Sequence, residues 1–213
     1  MFGLSRIDFF SLSLMIPSFL LAITVHEYAH GWAAYRFGDP TAKNAGRLTL
    51  NPLAHLDVLG TLCLLVTGMF GWAKPVPIDA RNLRHPDSQM PFISMAGPVS
   101  NIILSLLAFI LLYILFEFNL IVHIPLPVVV LQFIVNLLQF SLVINVSLAV
   151  LNLVPIPPLD GFHVLAYFLP ENVVFFMRRY QVIFLILFVI LLSQGFLSSA
   201  VYAITEKMMS VFK

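Results

Sequence analysis

His26, Glu27, Tyr28, Ala29 and His30 form the pattern HExxH. Residues four apart on an α-helix share a face, so the two imidazoles can reach one metal ion. Glu27 then projects beside that ion, where it can accept a proton from bound water. The pattern lies inside an apolar run, residues 9–35. Three ionisable side chains within five residues are costly at membrane depth and mark function there by default. The plainer alternative is a polar helix–helix contact with satisfied histidines.

A catalytic zinc site commonly uses three protein ligands and keeps a fourth position open, so a further donor must come from elsewhere in the chain. Asp160 is the best candidate, at the end of the segment Asn152-Leu-Val-Pro-Ile-Pro-Pro-Leu-Asp160-Gly161. Pro155, Pro157 and Pro158 cannot continue a helix, so the preceding apolar span must end or unwind there and can present Asp160 from irregular backbone. Asp160 also suits the N-cap of a short apolar helix over 161–169, and the two roles are compatible. His163, one turn further on, competes for the ligand position. Asn152 can hydrogen-bond a substrate carbonyl or a developing oxyanion, or simply make an interhelical contact.

The elements that must hold these residues are membrane spans. Of 213 residues, 60% are apolar and only 10% are charged, against roughly 45–50% and 25% in soluble domains. Four runs reach the roughly 20 residues needed to cross a bilayer: 9–35, 92–118, 127–154 and 181–204. The expected fold is an all-α polytopic membrane protein, read as one domain over 1–213. Arg6 ahead of the first run suggests a cleaved leader, but the run is too long, contains Asp8 and lacks a small-residue cleavage site, so it is expected to be retained.

Residues 36–90 hold six of the eleven Lys and Arg, which makes that connection cytoplasmic and both chain ends external by the positive-inside rule. A full crossing by 58–72 would invert every later span, so this short stretch is expected to be re-entrant or interfacial. RLTL at 47–50 and KPVPID at 74–79 read as extended edges, suggesting a small membrane-dipping β-sheet on which an unwound substrate strand pairs beside Leu48 or Val76. A net charge of +1 without a basic block excludes a nucleic-acid partner. Cys63 stands alone and supports neither a disulfide nor a thiolate site; it reads as a buried small hydrophobe.

His55, in NPLAHLD, is expected to support the site or face substrate, since a fourth protein ligand would close it. His85 and His123 read as interfacial. Gly97 and Pro98 suit close packing at a helix start, and Asn101 could instead reach the site. A metal transporter or sensor is the competing reading, but it needs ligands on several spans and commonly related halves, and no internal repeat is visible.

HEYAH and NLVPIPPLDG together resemble the two signatures of the site-2 protease family of intramembrane metalloproteases. NPLAHLD, GWAKPVPI and AGPVSN resemble stretches that accompany them, and the likeness covers roughly residues 20–165. The resemblance implies one catalytic Zn2+ held by His26, His30 and Asp160, with Glu27 as the catalytic glutamate and Asn152 as the second-signature asparagine. It implies cleavage of transmembrane protein substrates within the lipid bilayer, often as the second cut of a regulated cascade, while the charge assignment puts the site toward the cytoplasmic side of the plasma membrane. The chain has room for neither the PDZ nor the nucleotide-sensing module of larger relatives, which leaves substrate selection to the membrane domain or to regulatory membrane proteins.

Overall fold

A computed structural model describes residues 9–67, 72–118 and 125–212. His123 and the side chain of Cys63 lie outside the described residues. Among them the chain is helical: α1 (Phe9–Phe37), α2 (Thr41–Asn44), α3 (Val58–Thr67), α4 (Pro86–Glu117), α5 (Val128–Asn152), α6 (Asp160–Phe168), α7 (Glu171–Arg179), α8 (Gln181–Ser193) and α9 (Phe196–Met209).

Three helices, α1, α4 and α5, are long and apolar enough to cross a membrane. They pack as consecutive neighbours: α4 lies against both α1 and α5. Their outer faces stay apolar and open, with Ile103, Leu107 and Leu111 on α4 each about half exposed. A soluble protein does not leave apolar faces of that extent uncovered; here lipid is the solvent. Between α4, α5 and α9, Ala108, Leu112, Leu142, Val146 and Val201 form a hydrophobic core. A second cluster, Ala33, Ala34, Leu83 and Ile93, seats the connection after α1 onto the bundle.

Two expectations are corrected. The expected fourth span, 181–204, is broken into α8 and α9 at Gly195, whose φ of 81° is the left-handed conformation that glycine accepts readily. Instead, α7 and α8 form a bent pair at 71°, which crosses only if taken as one broken span. The expected sheet is absent among the described residues, where Leu56 and Ala73 make a single isolated antiparallel bridge. The sequence explains why: Pro75 and Pro77 lack N–H donors, and the Val76 amide donates to Glu27 at 2.8 Å, not to a strand. Residues 58–67 form the short helix α3, too short to span.

Candidate metal centre

His26 and His30 lie seven or more residues before the C-terminal end of α1, about 10 Å or more below it at 1.5 Å per residue. α4 runs antiparallel to α1, which sets Ile93 opposite His30 and Asn101 opposite His26. The His30 Nδ1–H donates to the Ile93 carbonyl at 2.8 Å. The His26 Nδ1–H donates to Asn101 Oδ1 at 2.6 Å. Both partners are acceptors, so both rings carry their proton on Nδ1 and turn an Nε2 lone pair into the same space.

Asp160 completes that space. After α5 ends at Asn152, the proline-rich turn carries the chain to α6, of which Asp160 is the first residue. Gly161 permits the return, since a Cβ there would lie 2.4 Å from the Leu153 carbonyl oxygen. Asp160 does not cap α6: Leu159 holds the cap position, and no side-chain cap bond is made. Its Oδ2 stands 3.2 Å from His26 Nε2 and 3.3 Å from His30 Nε2, and the two Nε2 atoms are 3.0 Å apart.

Three lone-pair atoms thus face one another with no proton between them, and Asp160 Oδ2 is buried without a donor. Such an arrangement is repulsive unless a cation sits among them. Ligands about 2.0–2.1 Å from a tetrahedral zinc are about 3.3 Å apart, which matches the three separations. Two imidazoles and a carboxylate are also a donor set that zinc accepts. Among the described residues this is the one such group of metal-capable side chains.

Gly97 on α4 makes room for the rings. A Cβ there would lie 2.4 Å from His30 Nε2 and 2.6 Å from two atoms of the His26 ring, so the position tolerates hydrogen alone. Glu27 stands beside the group, held through Oε2 by the Val76 amide. A cavity of about 410 Å³ opens onto these residues and is also walled by Asn152 and His163.

The remaining sequence candidates fall as follows. Asn152 lines the cavity while its Nδ2 donates to the Leu148 carbonyl at 3.0 Å. His163 lines the cavity but is not in the metal group. His55 is wholly buried elsewhere; its Nε2–H donates to the Thr49 carbonyl at 2.8 Å, tying down the loop before α3. His85 sits at the start of α4. Sequence reasoning gave Gly97 no role at the metal, gave Asn101 little weight and passed over Asn145, although an amide inside an apolar span is itself a signal.

The connection after α1 is braced by Asp39, which is fully buried at the helix end. It accepts hydrogen bonds from the Thr41 amide and hydroxyl, from the Asp79 amide at 2.7 Å and from Asn82 Nδ2 at 3.0 Å. Burial pushes its carboxyl up, but these donors outweigh burial and hold it below the ordinary carboxylate range. Asp79, paired with Arg81, falls to about 2. The brace fixes the segment that delivers the Val76 amide to Glu27.

A metal group sunk below the end of a transmembrane bundle, with a carboxylate beside it and a cavity in front, defines the class: a membrane-embedded metallohydrolase. The family model described as peptidase family M50 matches residues 14–194, and the chain belongs to that family. It is 39% identical over 193 residues to the Bacillus subtilis (strain 168) protein named "Putative zinc metalloprotease YwhC", covering 87% of this chain and 86% of that one. It is 31% identical over 152 residues to "Putative zinc metalloprotease Rip2" of Mycolicibacterium smegmatis, covering 70% of this chain and 54% of the relative. Rip2 of Mycobacterium tuberculosis (strain H37Rv) is 28% identical over the same shares. No solved structure matches the chain.

Proposed function

We propose that His26, His30 and Asp160 hold the zinc ion of this intramembrane metalloendopeptidase and that Glu27 is its general acid–base, within one membrane domain spanning the chain. The observation that carries this reading is the set of three inward lone pairs, 3.0–3.3 Å apart, with Glu27 on the wall of the same cavity.

Zinc, when bound, supplies a Lewis acid that polarises a carbonyl and acidifies water. The protein's own residues do the rest. Glu27 takes the proton of the attacking water on its carboxylate and returns it to the leaving amine, while the Val76 amide keeps that carboxylate turned to the cavity. Asn152 offers its amide to the substrate carbonyl from the cavity wall. A transmembrane substrate must unwind before its carbonyls can be attacked, because its backbone is hydrogen-bonded internally. The extended segment 74–79 borders the cavity and has no spare N–H from Lys74 to Pro77: the Lys74 amide bonds the His55 carbonyl, Val76 bonds Glu27, and the prolines have none. A substrate strand pairing along it could therefore donate to backbone carbonyls but receive no hydrogen bond between Lys74 and Pro77 in return.

The Lys and Arg content of residues 36–90 supports a cytoplasmic position for that connection, and with it for the mouth of the site, in the plasma membrane. Cleavage in a regulated cascade, with membrane proteins that present or withhold substrate, fits a site so enclosed. Cysteine labelling on a Cys63-free background tests the orientation: position 43 should react only from the cytoplasm, and labelling from outside rejects it.

Glu27→Gln tests the mechanism. It keeps size and the Val76 bond but removes the base, so reconstituted enzyme should keep zinc at one per chain while cleavage falls about 10² to 10⁴-fold. Undiminished cleavage rejects the role of Glu27.

A further inference from the structure

The two histidines fix their protons by different means. His30 donates directly to a backbone carbonyl, Ile93, which cannot turn over. His26 donates to Asn101 Oδ1, and an amide can flip. Flipped, Asn101 would present NH2 to Nδ1, drive the proton to Nε2 and cancel the lone pair that faces the metal.

Neighbouring groups oppose that flip. Asn101 Nδ2 donates to the Ala22 carbonyl at 3.2 Å and to Asn145 Oδ1 at 2.8 Å. Asn145 is oriented in turn, because its Nδ2 donates to the Ser141 carbonyl at 2.8 Å. Both asparagines are fully buried. The chain therefore starts at a backbone carbonyl on α5, passes through two amides and ends at the imidazole on α1. Turning either amide over sets acceptor against acceptor at a fully buried position, where an unmade hydrogen bond costs most.

We infer that Asn145 and Asn101 form a relay that sets the tautomer of His26, making them positioning residues for the metal and tying its affinity to the packing of α1, α4 and α5. The inference rests on the reading of His26 as a zinc ligand. Neither residue lines the cavity, so neither meets substrate.

The test uses the full chain in lipid nanodiscs. Zinc affinity is measured by chelator competition, the His26 tautomer by ¹⁵N imidazole NMR of the zinc-free protein, and folding by its thermal unfolding. Asn101→Leu should weaken zinc about 10–100-fold, the usual effect of losing a partner behind a metal-bound histidine. Asn101→Asp still accepts from Nδ1–H but sets its second oxygen against the Ala22 carbonyl and Asn145 Oδ1, so it should lower stability yet bind zinc more tightly than Asn101→Leu. Asn145→Leu, far from the metal, should weaken zinc several-fold and shift the His26 signal toward the Nε2–H form. The double Leu variant should bind no more weakly than Asn101→Leu alone. If Asn101→Leu does not fold, Asn145→Leu carries the test. An Asn145→Leu protein with unchanged zinc affinity and unchanged tautomer overturns the relay, whatever its unfolding temperature, and so does full additivity in the double variant. His26→Ala is the control: if it binds zinc as tightly as wild type, the ligand assignment fails, and not merely the relay.

Discussion

Two aspartates, Asp39 and Asp160, are drawn into the protein within the same half of the bundle, and they meet opposite company. Asp39 has four donors around its carboxylate, three on Oδ1 and one on Oδ2, so both oxygens are satisfied. Asp160 has an oxygen buried among lone pairs and no donor. The difference separates structure from chemistry: a satisfied carboxylate stabilises a loop, whereas a carboxylate denied donors has been kept for a cation. Burial alone would have misled, because the more deeply buried of the two, Asp39, is the one that serves structure.

The sharpest way to break the comparison is to remove each carboxylate. Asp160→Ala should lose tight zinc binding and all measurable cleavage, and full zinc occupancy at wild-type affinity would show that the third ligand lies elsewhere, with His163 the next candidate. Gly97→Ala follows in size. The added methyl overlaps rings that are pinned from behind by Asn101 and Ile93, so zinc affinity should drop at least about tenfold, and the zinc-free protein should melt somewhat lower because overpacking costs about 1–3 kcal/mol. Wild-type affinity in this variant would mean that the rings can retreat.

Asp39→Ala should act in the reverse sense, destabilising by about 2–3 kcal/mol through its orphaned donors but leaving zinc at one per chain. Loss of zinc on a folded background would contradict the division of labour. The same brace should respond to acid. Asp39 and Asp79 both have folded pKa values below their ordinary ones, so the stability they contribute is present above the ordinary carboxylate range and is lost as pH falls through it, for Asp79 down to about 2. The gap in melting temperature between wild type and Asp39→Asn should therefore narrow between pH 5 and pH 3; a gap that widens would refute the sign. The smallest effect belongs to His55→Ala, which should lower stability modestly and leave zinc affinity untouched, because the ring serves the Thr49 carbonyl and not the metal.

Much of this was legible in the residues. HExxH names its own geometry, because the helix repeat alone brings His26 and His30 to one face, and three proline-punctuated residues before Asp160 announce a break. Spans α1, α4 and α5 follow from length and apolarity to within a few residues at most ends. The failures share a cause. Gly195 inside an apolar run reads as tolerable in a span, yet its left-handed backbone splits the helix. The alternation of 74–79 reads as a sheet edge, yet its one available mid-segment amide is claimed by a glutamate forty-nine positions earlier in the chain.

What the sequence determined by itself, then, is local: the environment of each span, the shared face of two histidines, and the break that frees Asp160. Tertiary structure alone decided that Asp160, and not the competing His163, meets the two histidines, that Gly97 must lack a side chain, and that Asn101 and Asn145 stand behind His26. These depend on the antiparallel register of α4 against α1 and α5. Register is a property of packed surfaces between distant segments, and no repeat or spacing within one segment encodes it.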